Sequence, residues 1–282
     1  MDSVCWDYTL MPFFNDLDLK DWKNIEVWTD SLWIIPQRDK TGKHNGFYHG
    51  NFIPQIPRQL ILRYSKKGEV VFDPFVGSGT TAIEAEALGR HFIGIDIQPE
   101  LILHCKNMVG KTDCFSEFVV GDSADSDTFD NIAEILLKKR KTKVQLAILH
   151  PPYADIIKFS EHKKDLSNCK TLDMFLEKFS QVIVNTIRIL DKNRYLAIVI
   201  GDKYTNGQWV PLGFQCMNEA LKNGLTLKSI IVKNMEGNRA KQNKEAIWRY
   251  RALTSDYYIF KHEYIFLFKK TDIRNANQRS KI

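Results

Sequence analysis

The stretch Val70-Val71-Phe72-Asp73-Pro74-Phe75-Val76-Gly77-Ser78-Gly79-Thr80-Thr81 decides the fold. An apolar run closes on an acid, and a Gly-Ser-Gly turn follows. Ala82-Ile83-Glu84-Ala85-Glu86-Ala87-Leu88 then supplies strong helix-forming sequence. The order predicts strand, glycine turn, helix, which is the opening of a βαβ unit. Gly77 and Gly79 reach backbone angles closed to other residues and let a ligand approach the main chain. The helix behind them points unpaired N–H groups at the same place. Together these features point to a nucleotide-type ligand. No Lys follows Gly79, so the phosphate loop GxxxxGK[ST] is absent. Ala82 stands where the dinucleotide fingerprint GxGxxG has its third glycine, a replacement that fingerprint tolerates. The plainer alternative is an ordinary strand–helix turn.

Downstream the pattern repeats. His91-Phe92-Ile93-Gly94-Ile95-Asp96 reads as a second buried strand ending in an acid, 23 residues after Asp73. An acid at about this offset can hydrogen-bond ribose hydroxyls; its competing role is capping a helix over Pro99–Val109. Phe118-Val119-Val120-Gly121-Asp122 reads as a third strand with an acidic end, followed by a helix from Ser126 to about Lys141. Val144 to Leu149 reads as the fourth strand and runs into His150-Pro151-Pro152-Tyr153. Four strands thus deliver polar groups at their carboxyl ends, the edge where open parallel sheets bind ligands. Two prolines remove two donors and leave carbonyls unpaired beside an aromatic face. Such a turn can accept hydrogen bonds from a planar –NH2 group while Tyr153 stacks on its ring.

With 282 residues, 44% hydrophobic and 26% charged, the chain fits one large α/β domain or one domain with an insertion. The net charge of +6 permits an anionic partner without demanding one. Five cysteines, Cys5, Cys105, Cys114, Cys169 and Cys216, are widely spaced and match no zinc pattern. They read as reduced, buried thiols of a cytoplasmic protein, with no metal expected. No signal peptide and no membrane-length apolar run is read.

Upstream, residues 1–46 form an N-terminal extension: Met1 to about Trp33 is aromatic-rich and expected to pack as irregular structure and short helices, with a base-stacking surface as the alternative, and Gln37–Gly46 reads as a polar, basic loop. Prolines 54 and 57 place the first helix at Arg58–Tyr64, with Pro57 in its first turn. In the second half, residues 153–171 read as a loop over the site. Apolar spacing over Thr171–Leu190 predicts a helix, and Phe214–Leu221 a further one. Tyr195–Asp202, Leu225–Lys233 and Glu263–Phe268 supply strands five to seven. The long connection 234–262 interleaves Arg239, Lys241, Lys244, Arg249 and Arg251 with Trp248, Tyr250, Tyr257 and Tyr258. That mixture suits DNA contact, against the alternative of a solvated basic face.

Asp73 to Thr81 and His150 to Tyr153 resemble the two signature motifs of S-adenosylmethionine-dependent DNA amino methyltransferases, which modify adenine N6 or cytosine N4. Asn51 to Leu60 resembles the additional cofactor motif of that family. The resemblance runs from about Phe47 to Lys270. It implies a single domain over 1–282 with a Rossmann-like seven-stranded α/β methyltransferase sheet, mostly parallel with an antiparallel last strand. It also implies S-adenosylmethionine as cofactor, double-stranded DNA with a flipped-out base as substrate, and restriction-modification with a cognate restriction endonuclease as a setting. Gly77 and Gly79 would wrap the methionine part, with Asp73, Pro74, Phe75 and Ser78 beside it and Thr80 near the carboxylate. Asp96 would take the ribose and Asp122 the adenine ring. Pro151 would offer its carbonyl to the target amine, Pro152 would stiffen the turn and Tyr153 would stack on the base. Phe159, Arg249 and Arg251 are further expected substrate contacts. The family usually carries Asp, Asn or Ser where this chain has His150. A neutral imidazole still accepts one hydrogen bond, and an unperturbed one would lose that ability near ~6.5. Other readings keep the chemistry for an RNA base or a glutamine amide, or make the chain an inactive cofactor- or DNA-binding module.

Overall fold

A computed structural model describes residues 13–44, 51–110, 112–153, 162–235 and 245–271. Its centre is an eight-stranded sheet: β1 (Leu32–Trp33), β2 (Val70–Asp73), β3 (His91–Asp96), β4 (Ser116–Val120), β5 (Val144–Leu149), β6 (Leu190–Ile200), β9 (Thr226–Asn234) and β10 (His262–Lys269). Their spatial order is β1-β9-β10-β6-β5-β2-β3-β4. Strands β2 to β6 are parallel, and β10 runs antiparallel between β6 and β9. This is the expected sheet, with one short strand, β1, added on the edge of β9. Lys203–Thr205 (β7) and Gln208–Val210 (β8) form a separate hairpin after β6. Its turn uses Asn206 and Gly207 at φ 50° and 74°, the Asn-Gly chemistry of a tight hairpin.

Alternation along each strand feeds two cores. Val70 and Phe72 face one cluster and Val71 the other; Ile93 and Ile95 oppose Phe92; Leu196, Ile198 and Ile200 oppose Ala197 and Val199. Both faces of the sheet are therefore covered, which is why these strands read as continuous apolar runs. One layer holds α4 (Ser126–Lys138), α5 (Leu172–Ile189) and α6 (Leu212–Lys222); the other holds α1 (Gln55–Tyr64), α2 (Thr80–Ala87) and α3 (Pro99–Met108). Phe72 is fully buried against Phe129, their rings 5.6 Å apart. Truncating such a ring to alanine costs about 3–5 kcal/mol.

Several boundaries moved for local reasons. Helix α1 starts at Gln55, not after Pro57. First-turn N–H groups have no intrahelical partner, so Pro57 loses nothing there. Helix α4 ends at Lys138, ahead of Arg140 at φ 57°. Strand β6 starts at Leu190, directly where α5 ends, and Asn193 at φ 60° bends it. The 234–262 connection contains α7 (Glu245–Leu253); Arg239, Lys241 and Lys244 lie outside the described residues. Among the described residues of the N-terminal extension, a 3-10 turn at Leu19–Asn24 and β1 are the regular pieces, and Trp33 is buried while Trp22 is exposed. Among the described residues no helix is long and apolar enough to cross a membrane.

Candidate active site

Strand order reverses between β2 and β5, since the chain builds β2-β3-β4 outward on one side and β5-β6 on the other. The crevice at the carboxyl ends of the two strands at such a reversal is the ligand position of open α/β sheets. The glycine turn leaves the end of β2, and the Pro-Pro-Tyr turn leaves the end of β5.

The glycine turn is held from all sides. Gly77 and Gly79 both have positive φ, 52° and 89°. The φ of 89° at Gly79 demands glycine; a side chain there would also crowd Met108 Cε at 2.6 Å and Cys105 Sγ at 3.1 Å, ends of side chains on α3. The Gly77 amide donates to Asp96 Oδ2 at 2.9 Å, and the Gln98 amide to Asp96 Oδ1 at 3.0 Å. Each Asp96 oxygen keeps a second acceptor direction. The cap of α3 is Gln98, not Asp96. Asp73 accepts from the Phe75 amide at 2.9 Å and the Thr81 hydroxyl at 2.5 Å. Burial pushes Asp73 up to about 7 and Asp96 up to about 6, against the hydrogen bonds that pull both down.

The neighbouring segments lock onto this turn. Ser78 Oγ donates to Asn51 Oδ1 at 2.8 Å, tying the upstream motif to the glycine turn. Ser123 Oγ donates to the Pro74 carbonyl at 2.6 Å, bringing the end of β4 to the same place. Asp122 accepts the Ala124 amide at 2.9 Å in a turn before α4. Thr80 is buried as the first residue of α2. A small cleft at that helix start is lined by Arg38, His44, Asn51, Ser78 and Thr80, among others.

On the other strand, Pro151 is buried and His150, Pro152 and Tyr153 are half-buried. The His150 ring lies 4.7 Å from Phe52 and meets Tyr153 edge-on at 5.9 Å. Burial lowers His150 to about 4, with Glu263 working against that shift and Lys233 with it. That lies below the ~6.5 of a solvated imidazole. The Tyr153 hydroxyl donates to Glu263 Oε2 at 3.0 Å. Burial, then the Glu263 carboxylate, raises Tyr153 well above its usual value.

The sheet thus gathers Asp73, Pro74, Phe75, Gly77, Ser78, Gly79, Thr80, Asp96, Asp122 and the His150–Tyr153 turn along one edge. Arg249 and Arg251 are on α7, both exposed, with the Arg251 guanidinium 5.5 Å from the Trp248 ring centre. Phe159 lies outside the described residues. Glu263, Lys233 and Phe52 were not singled out in the sequence. The visible signal was a charged residue at the end of each of two apolar strands.

A family model described as DNA methylase matches residues 11–107 and 144–282. A Type II methyltransferase of Lactococcus lactis subsp. cremoris, M2.LlaDCHI, is 38% identical over 107 residues, 38% of this chain and 36% of that protein. M2.DpnII of Streptococcus pneumoniae, also a Type II methyltransferase, is 39% identical over 98 residues, 34% of this chain and 33% of that protein. The orphan methyltransferase M.BamHII of Bacillus amyloliquefaciens is 36% identical over 96 residues, 29% of this chain and 36% of that protein. The matches span about a third of these relatives' own length. Among solved structures, an S-adenosylmethionine-dependent methyltransferase of Methanosarcina mazei aligns at TM-score 0.47 and 13% identity, over 75% of this chain and 97% of that one.

Proposed function

The chain belongs to the DNA methylase family, and on that premise we propose that it transfers a methyl group from S-adenosylmethionine to the exocyclic amine of adenine or cytosine in DNA. The observation that carries this reading is the meeting of the glycine turn and the Pro-Pro-Tyr turn at the ends of adjacent strands β2 and β5. The residues fit the cofactor. Asp96 has an unused acceptor direction on each oxygen for two ribose hydroxyls. The start of α2, with Arg38, Asn51, Ser78 and Thr80 around it, suits a carboxylate. The acids Asp73, Asp96 and Asp122 suit a ligand carrying positive charge.

When bound, the cofactor's sulfonium supplies an electrophilic methyl. The protein's part is to make a poor nucleophile attack it. The lone pair of a base's exocyclic amine is delocalised into the ring. The Pro151 carbonyl and a neutral His150 ring nitrogen accept hydrogen bonds from its two N–H groups and turn the nitrogen toward sp³ geometry; the one proton lost after methyl transfer leaves through His150 to water. With His150 lowered to about 4, the ring is an acceptor at neutral pH. Tyr153 stacks on the base, which has left the duplex at a cost of a few kcal/mol. Most of the rate then comes from positioning and proton acceptance. A cognate restriction endonuclease belongs to the same reading, and DNA modified by this protein would resist it.

The test is direct. Unmethylated plasmid DNA is incubated with methyl-labelled cofactor and digested to nucleosides. Labelled N6-methyladenosine or N4-methylcytidine deoxynucleosides are expected. Label appearing only in RNA or protein, with cofactor binding intact, would move the substrate class.

A further inference from the structure

The Tyr153 hydroxyl does not point to solvent. It donates to Glu263 Oε2 at 3.0 Å, and Glu263 Oε1 accepts from Lys233 Nζ at 3.0 Å. Glu263 is 6% exposed and Lys233 7%. The two are direct cross-strand partners in the β9–β10 ladder, so sheet register fixes their pairing. Stability does not explain the pair. Removing two charges from water is costly, and apolar residues of similar volume often serve as well. A carboxylate does offer the hydroxyl a charge-assisted hydrogen bond, about twice as strong as a neutral one. Lys233 then holds that carboxylate in one rotamer. The Gly201 backbone packs close to the same ring: a Cβ there would sit 3.5 Å from Tyr153 Cε2. The ring is thus held at its hydroxyl by Glu263 and packed by the Gly201 backbone and by the His150 ring, which stands perpendicular to it.

We propose that Glu263, clamped by Lys233, is a positioning residue that sets the plane of the Tyr153 ring on which the target base stacks. The inference rests on the DNA-methylating reading and adds two residues to it. The pair also sits at the root of the segment carrying Arg249 and Arg251. β9 ends at Asn234 and β10 begins at His262, one residue beyond each partner. The strand ends that launch that segment are therefore the ones that hold the ring.

The experiment is a double-mutant cycle on single-turnover methyl transfer to plasmid DNA, using Tyr153→Phe, Glu263→Gln and both together. Each single change should slow transfer about tenfold or more, because small misplacements of a stacked reactant are costly in rate. The double variant should be no slower than the slower single, since Glu263 acts through the hydroxyl that Tyr153→Phe removes. Cofactor affinity by calorimetry should stay at the wild-type value. Glu263→Gln transferring at the wild-type rate would overturn the proposal. So would slowing by the same factor in both backgrounds, which marks an effect that bypasses Tyr153. Should Glu263→Gln fail to fold, Tyr153→Phe decides alone, because it leaves the ion pair intact: an unchanged rate there would overturn the tether. Wild-type protein that binds cofactor yet transfers no methyl group to DNA would instead refute the methylating reading, and this inference with it.

Discussion

The rings of His150 and Phe52 lie 4.7 Å apart with 31° between their planes. One comes from the Pro-Pro-Tyr turn and the other from the upstream segment bound to the glycine turn through Asn51 and Ser78. The contact takes one face of the imidazole from water, and burial lowers its pKa to about 4. Single-turnover methyl transfer should therefore stay flat as far as His150 is concerned from about 5.5 to about 8. The acid limb should fall near 4, and His150→Asn should remove it. An inflection near ~6.5 in the wild type that vanishes in His150→Asn would mean the ring is solvated as a free imidazole is.

Asp96 carries two jobs, one seen and one proposed. It anchors the Gly77 amide, and it offers the ribose acceptors. Asp96→Ala should weaken S-adenosylmethionine binding by ~1–3 kcal/mol, the cost of leaving buried partners unmet. Calorimetry giving wild-type affinity would remove the ribose role.

The buried acids should also show in stability. Asp73 titrates at about 7 and Asp96 at about 6, both raised from 3.8. The folded state then holds protons that the unfolded chain has lost, so both groups stabilise fully below the unfolded value. That contribution disappears as pH rises through the folded values. His150, lowered from 6.5 to about 4, acts oppositely within that interval. Above about 6.5 the histidine no longer contributes, and of these three groups Asp73 is the one still titrating. The melting temperature of the cofactor-free protein should drop through about 7, and Asp73→Asn should flatten that drop. An equal slope in both proteins would assign it to other groups.

The legible and illegible parts of the molecule divide by range. Strands β2 to β5 and the turns after them were readable because each is a local pattern: an apolar run, a charge, then glycine or proline. Because Val70 and Phe72 face one core and Val71 the other, the run is apolar throughout, which made it read as buried and hid which residue faces which side. The β7–β8 hairpin was missed because Lys203–Val210 is too short and half-exposed for periodicity to register, though Asn206-Gly207 was its turn signal. The tether of Tyr153 to Glu263 spans 110 residues and depends on the register of β10. No local pattern carries such a contact. His150 was visible as a departure, but its surroundings were not, since Phe52 arrives from a segment about a hundred residues earlier.

The last prediction concerns α7. Arg249 and Arg251 are both exposed, and the Arg251 guanidinium lies 5.5 Å from the Trp248 ring centre. Stacking on an aromatic leaves the guanidinium edge free to donate, and it reduces the side-chain entropy lost when a phosphate is gripped. If both residues contact the DNA backbone, neutralising them removes two sites of counterion release. The slope of log affinity against log salt should become shallower by about 0.9 for each phosphate no longer neutralised. Arg249→Ala with Arg251→Ala should thus flatten it by nearly two, while cofactor affinity at the glycine turn stays unchanged. Arg251→Ala alone should weaken binding more than Arg249→Ala, because the stacked residue is the better organised of the two. Titration of labelled duplex at several salt concentrations measures both effects. A double variant with the wild-type slope would put the phosphate-gripping cations elsewhere and leave α7 a solvated basic face.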